Sequence, residues 1–245
     1  MLSIITVTYN NLNGLKTTYK SIRKLLQNEV AVKWIVIDGA SEDGTLSFLR
    51  MLSTNLDSNC FLYFSESDKG LYDAMNKGLD LVDGDYIIFI NAGDLIHESL
   101  LKDLQDYNSF DILLGASERF SSDKKYIKYV RPLKKLNSRM ICEHQAFVVR
   151  SAIAKKIRYD LRYSLSADYD FLCRCIKSTD SIYSSKRIYC SFEYGGVSKK
   201  KRMEALLEDF LIRIRVFNMP YKNAFYLYLK HLSWEVVKKI MGLIR

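Results

Sequence analysis

Proline and glycine are scarce in this 245-residue chain, with 2 and 11 copies, and no low-complexity tract or internal repeat appears. That excludes collagen-like and disordered classes, and 48% hydrophobic residues is enough for a substantial core. Histidine occurs only three times, and the five cysteines (Cys60, Cys142, Cys173, Cys175, Cys190) form no CxxC pair. A structural zinc site and a disulfide framework are therefore not expected, and reduced thiols are. No apolar run approaches the roughly 20 residues that span a bilayer. No basic stretch precedes an apolar core at the N-terminus, so cytoplasmic residence is the expectation. Neither a G-x-G-x-x-G fingerprint nor a Walker A loop follows the first strand, which disfavours a plain dinucleotide or P-loop enzyme.

What is present begins with charge. Between Lys199 and Arg245 lie eleven Lys and Arg against four Asp and Glu, so that segment carries +7 of the chain's net +9. A nearly neutral domain with a basic tail points to an anionic surface near the tail and not to nucleic acid.

The first hundred residues alternate strand and helix. Strands are expected at Leu2 to Thr8, Val32 to Ile37, Phe61 to Ser65 and Tyr86 to Ile90. Helices are expected from about Leu15 to Gln27 with Asn13 as cap, through about Ser53, from Asp73 to Leu81, and from Leu95 to Asp106. Short turns between such elements read as a doubly wound, mostly parallel α/β sheet. In open sheets of this kind ligands bind at the carboxyl ends of strands. Three such ends converge here: Thr8-Tyr9-Asn10, Asp38 and Asn91-Ala92-Gly93-Asp94. On these residues alone Asp94 is a metal or phosphate-site carboxylate or the N-cap of the next helix, and Asp38 a ligand acceptor or a cap with Ser41.

Farther on, Ile112 to Gly115, Tyr126 to Val130 and Ala146 to Val149 read as strands, and a helix opens at Ser166 and runs to about Lys177. Lys134, Lys135 and Arg139 form a basic run that reads as solvated surface or as facing a diphosphate. Tyr194 to Ser198 holds two adjacent glycines, a candidate lid. A helix from Met203 to Phe217 is followed by another from Pro220 to the end. The last mixes Phe225, Tyr226, Trp234 and Ile240 with Lys222, Lys230, Lys238 and Lys239. That is the composition of a helix lying in a bilayer interface. Packing on the domain or on a second subunit, which leaves a homo-oligomer open, is the alternative.

Four blocks carry a family resemblance: Ile4 to Asn10, Val36 to Thr45, Asp68 to Gly78 and Ile90 to Asp94. In order and spacing they resemble the family 2 glycosyltransferases of GT-A fold. Glu143-His144-Gln145 and Ala167 to Leu172 resemble acceptor-side blocks of the bacterial polysaccharide and O-antigen branch. The resemblance implies a GT-A domain over 1–198, with a nucleotide-sugar half at 1–95 and an acceptor half at 96–198, followed by a basic helical tail at 199–245. It implies that Thr8, Tyr9, Asn10, Asp38, Asp68, Gly70, Asn91 and Ala92 surround a UDP-sugar. Asp94 would hold Mn²⁺ or Mg²⁺, although Asn91 and Gly93 stand where family members often carry further Asp. His144 and Asp170 would face the acceptor or the diphosphate, and Asp168 would be the base of an inverting transfer to a lipid-linked glycan at the cytoplasmic membrane. A nucleotidyltransferase and a non-catalytic nucleotide- or membrane-binding module are the alternatives.

Overall fold

Seven consecutive residues of β1 (Leu2–Thr8) are buried, because this strand lies inside a sheet covered on both faces. The computed structural model describes residues 1–27, 30–121, 124–193 and 201–241. The candidate lid at Tyr194 to Ser198 lies outside them, as do Lys199 and Lys200. Alternation along β1 divides the core in two. Leu2 and Ile4 join one cluster with Leu15, Ile22, Trp34, Leu49 and Leu100. Ile5 and Val7 join the other with Met75, Leu79, Phe89 and Phe171. Trp34 is fully buried, and its indole N–H donates to Thr6 Oγ1 at 2.9 Å, so the ring enters the core without an orphaned donor.

β1 pairs in parallel with β2 (Val32–Asp38) and with β4 (Tyr86–Phe89), and β2 pairs with β3 (Phe61–Ser65). The connections are α1 (Leu12–Leu25), α2 (Thr45–Asn55) and α3 (Leu71–Asp80). Asn11, not Asn13, caps α1, accepting from the Gly14 N–H at 3.0 Å. Register matters most for the site: Thr8 lies opposite Asp38, and Asp38 opposite Ser65, so three strands end in one row. Beyond β4 the chain stays beside β1, with Ile90 N–H donating to Ile5 O at 2.9 Å and Ala92 N–H to Val7 O at 3.2 Å. That brings Asn91 and Ala92 to the same edge.

The helix expected from Leu95 is corrected. Leu95–Ile96 form a short strand, β5, and α4 (Ser99–Asp106) starts later. The backbone of Leu95 and Ile96 pairs with Ser191 and Cys190 of a distant strand, and that tertiary ladder overrides local periodicity. Asp94 is therefore not a helix cap. The second half adds β6 (Ile112–Phe120), β7 (Lys125–Lys128), β8 (Phe147–Arg150), α5 (Ser151–Ile157), α6 (Ala167–Lys177) and β9 (Ile182–Glu193). The sheet runs β3-β2-β1-β4-β8-β6-β9-β5, with β7 on β6, and β8 is antiparallel to both neighbours.

Two helices complete the described chain. On α7 (Arg202–Phe217), Ala205, Leu206 and Ile212 are buried, and Ile212 enters the core beside α6. α8 (Tyr221–Ile240) buries only Ala224. It rests on α7 through Phe210, which meets Tyr221 edge-on at 5.4 Å and Phe225 at 6.5 Å. No helix among the described residues is long and apolar enough to cross a membrane.

Close packing of α3 on β1 yields one prediction. A Cβ on Gly78 would lie 2.5 Å from Ile5 Cγ2, a stiff β-branched side chain in the core. Helix propensity favours Gly78→Ala by about 1 kcal/mol, whereas overpacking costs about 1–3 kcal/mol. The variant should be less stable by up to about 2 kcal/mol in urea unfolding. Unchanged stability would mean that α3 can slide on the sheet.

Candidate active site

The row Thr8, Asp38 and Ser65 forms one end of the cleft. Asp38 is fully buried, and its carboxylate accepts from Ser65 Oγ at 2.6 Å, from Ser41 Oγ at 2.5 Å and from the Ser41 N–H at 3.2 Å. The cap with Ser41 is thus realised, and a nucleobase donor would reach Asp38 only by displacing one of the two hydroxyls. Asn10 takes a positive φ of 46°, which Asn tolerates better than most residues. From there its N–H donates to Ser41 Oγ at 2.8 Å and its Oδ1 accepts from Glu42 N–H at 2.9 Å. Asp43 accepts from the Thr45 hydroxyl at 2.6 Å and the Leu12 N–H at 2.8 Å, and these two donors hold its carboxyl below the usual carboxylate range. The loops after β1 and β2 are therefore tied to each other.

Tyr9 stays 67% exposed at the tip of this loop. Its ring and Asp68 converge on Gly39, where a Cβ would come within 2.6 Å of Asp68 Oδ2 and 3.2 Å of the ring. Only glycine allows that approach. Gly70 has φ 114° and donates its N–H to Asp68 Oδ1 at 2.8 Å, turning the chain into α3. An exposed ring beside a carboxylate suits the face and edge of a flat base.

At the next strand end, Thr18 of α1 fixes the Asn91-Ala92-Gly93-Asp94 turn. Its hydroxyl lies 2.8 Å from Asp94 O and 3.2 Å from Asn91 O, and accepts from Gly93 N–H at 2.9 Å. Asn11 Nδ2 donates to Ala92 O at 3.0 Å. Asp94 Oδ2 accepts from Gln145 Nε2 at 3.0 Å, while burial pushes the carboxyl up to about 6. Asn91 Oδ1 and Thr8 Oγ1 are buried without a hydrogen-bond partner. No group of three His, Cys, Asp or Glu side chains among the described residues could enclose an ion. One carboxylate and a neighbouring orphaned amide oxygen do suit a hard divalent cation that takes its other ligands from a diphosphate and water.

Asp168, second residue of α6, accepts from Tyr169 N–H at 2.8 Å, and the Tyr72 hydroxyl of α3 lies 3.4 Å from the same oxygen. Burial pushes its carboxyl up to about 7, with the charges of Asp209 and Glu143 adding to the effect. That range suits a group that exchanges a proton near neutrality. The Glu143-His144-Gln145 block acts on both carboxylates: Gln145 donates to Asp94, and the charge of Glu143 is felt at Asp168.

Two expected contacts are placed elsewhere. Asp170 is 2% exposed and ion-paired to Arg174 four residues on, whose Nε donates at 2.8 Å and whose guanidinium also holds Ile157 O and Arg158 O. His144 is buried, stacked on Phe89 at 5.2 Å and hydrogen-bonded to Tyr159, and burial pushes it down to about 4. A neutral imidazole sealed in the core offers no contact to a diphosphate. Ser41, Ser65, Tyr72 and Gln145 join the site instead. Of these, Ser65 could have been found from strand register and Gln145 from its place in the 143–145 block, whereas Tyr72 needed the tertiary fold.

A further carboxylate, Glu208 of α7, braces the turn just before Asp168. It accepts from Ser164 N–H at 2.9 Å, Leu165 N–H at 2.9 Å, Ser166 N–H at 2.7 Å and the Ser164 hydroxyl at 3.0 Å. These donors lie in the turn that leads directly into α6.

Comparison with known proteins agrees with this geometry. Residues 3–162 match the family described as Glycosyl transferase family 2. A PGL/p-HBAD biosynthesis glycosyltransferase of Mycobacterium tuberculosis is 29% identical over 206 residues, spanning 81% of this chain and 79% of that protein. S. aureus TarS 1–349, solved in complex with UDP-GlcNAc, superposes with a TM-score of 0.69 at 16% identity, over 94% of this chain and 71% of that one. The mannosyltransferase PcManGT from Pyrobaculum calidifontis, solved with GDP-Man and Mn²⁺, gives 0.67 at 15% identity, over 87% and 64%. The fold is GT-A.

Proposed function

Because the chain belongs to glycosyl transferase family 2, we propose that it transfers a sugar from a UDP-sugar to a hydroxyl of a lipid-linked glycan precursor, with inversion. The observation that carries this reading is Asp168 at the head of α6, 3.4 Å from the Tyr72 hydroxyl of α3, the helix that Asp68 and Gly70 lead into, its carboxyl raised to about 7 by burial. Tyr9 stacks on the base, and Asp38 reaches its edge once Ser41 or Ser65 turns away. Asp168 takes the proton of the acceptor hydroxyl as its oxygen attacks the anomeric carbon. The bond from that carbon to the diphosphate breaks on the opposite face, and UDP departs with the bonding electrons. Tyr72 keeps the carboxylate aimed. Held by Asp94 and the diphosphate oxygens, Mn²⁺ or Mg²⁺ would offset charge on the leaving group.

The acceptor class is inferred from α8. Tyr226, Trp234 and Ile240 are exposed at 63%, 59% and 79%, on a helix that also carries Lys222, Lys230, Lys238 and Lys239. Apolar anchors beside lysines favour an anionic bilayer surface. The protein would then work at the inner face of the cytoplasmic membrane, in bacterial surface polysaccharide synthesis. Flotation with phosphatidylglycerol vesicles checks the anchoring.

A panel of nucleotide sugars, assayed for slow UDP release with and without Mn²⁺, tests the donor. Release from one UDP-sugar, stimulated by metal, is the expected result. Silence with every UDP-sugar, or release from a guanosine or cytidine donor alone, would overturn it.

A further inference from the structure

Arg213 of α7 is 0% exposed, yet its guanidinium is poorly satisfied. One nitrogen, Nη2, donates to Ser138 O at 3.1 Å and lies 3.4 Å from His231 Nδ1 of α8. Nε and Nη1 are buried with no partner. The nearest carboxylate, Asp209, stands 3.9 Å away and is shared with Arg202 at 3.6 Å. Glu208 cannot help, because four donors already occupy it. A buried cation without close compensation is costly, and an anion brought to it would offset that cost.

More cations surround this point. Burial, and after it the charges of Arg213, Arg139, Arg202 and Lys230, push the His231 imidazole down to about 4, so His231 is neutral and adds no charge of its own. Arg139 follows Ser138, whose carbonyl Arg213 holds, Lys230 precedes His231, and Arg202 shares Asp209 with Arg213, so three further cations, exposed or 39% exposed at the side chain, adjoin groups that Arg213 contacts. Asp209 thus answers two of the four cations, Arg202 and Arg213. The cluster also lies beside the base: the Ser166 hydroxyl bonds Asp209, and the charge of Asp209 is felt at Asp168. It lies on the α7–α8 side of Asp168, whereas the donor diphosphate belongs with Asp94.

We propose that Arg139, Arg202, Arg213 and Lys230 form a subsite for a phosphate or diphosphate ester on the acceptor, seated beside the hydroxyl presented to Asp168. The proposal rests on the glycosyl-transfer reading and narrows it, since an acceptor without a phosphate would leave the guanidinium groups unpaired. Seating the anion on Arg213 moves His231 aside, while Arg139 and Arg202 make the first contacts. Planar guanidinium groups suit phosphate oxygens.

The test uses the full chain saturated with UDP, so that the nucleotide site is filled, titrated calorimetrically with inorganic pyrophosphate. The wild type should bind it, and an Arg139→Gln/Arg202→Gln double variant, altered only at these two unburied side chains, should bind about tenfold more weakly or worse. Arg213→Lys, which keeps the charge but loses the fork, should show an intermediate loss. UDP affinity and UDP-sugar hydrolysis, read on the same samples, should be unchanged, and their absence would instead refute the donor assignment. Equal pyrophosphate affinity in wild type and double variant, or none in the UDP-loaded wild type, overturns the subsite. Weaker binding to phosphatidylglycerol vesicles with unaltered pyrophosphate affinity would assign the cluster to lipid headgroups and also overturn it.

Discussion

Asp168→Asn is expected to lower transfer by about 10²- to 10⁴-fold while leaving UDP affinity unchanged. Asparagine keeps the shape and the acceptor oxygen for Tyr169 N–H and the Tyr72 hydroxyl, so α6 and α3 stay in place. What it loses is the ability to take a proton. The proposed donor row of Thr8, Tyr9 and Asp38 is left intact, so UDP affinity should not change. In the wild type, kcat/KM should fall with acidification below about pH 7, because the base must be ionised and its carboxyl is raised to about 7. A stability measurement checks the same assignment independently. A carboxyl raised in the folded state favours folding while it is protonated, and that advantage is lost as pH rises from its unfolded value through about 7. The Asn variant should therefore melt higher than wild type at pH 8, by at most about 4 kcal/mol, and no higher near pH 3. Near-normal turnover, or a wild-type acid limb at pH 4, would remove Asp168 from the base role.

The second large effect is expected at Asp94. Asp94→Asn should cost about 100-fold or more in metal-stimulated transfer, since a Lewis acid at the leaving group supplies several kcal/mol. Asn can still accept from Gln145, so the turn held by Thr18 should survive. The direct readout is Mn²⁺ binding by electron paramagnetic resonance with UDP present, which the variant should lose. Because burial lifts the Asp94 carboxyl to about 6, protons should compete with the ion, and affinity should weaken below that pH. Undiminished Mn²⁺ binding by the variant would show that another group holds the ion.

Much of the first half could be read from the residues. Ile87 to Ile90, bounded by a Gly-Asp turn, are buried as their apolar run suggests, and Asp38 closes β2 opposite Thr8 at the strand ends where the residues placed it. β5 could not be read, because Ile96, Leu100, Leu101 and Leu104 continue one helical pattern and only pairing with Ser191 and Cys190 breaks it. β9 contains the polar run Ser184 to Arg187, which interrupts its alternation. Within the site, residue type was legible and direction was not. Arg174 stands one turn beyond Asp170, and that i,i+4 spacing already favoured an ion pair. His144 gave no comparable clue, since Phe89 and Tyr159 meet it only in three dimensions.

The clamp of Glu208 on the turn at residues 164–166 bears on how such chains can be recombined. The family match ends at residue 162, yet the proposed base follows at 168 and the Glu208 that braces its turn comes from α7. A chimera that joins the donor half of one protein to the acceptor half of another should cross over before Ser164 and carry the stretch through Phe217 as a single cassette. A junction between α6 and α7 would combine a turn and a brace drawn from different parents, leaving three amide hydrogens without an acceptor.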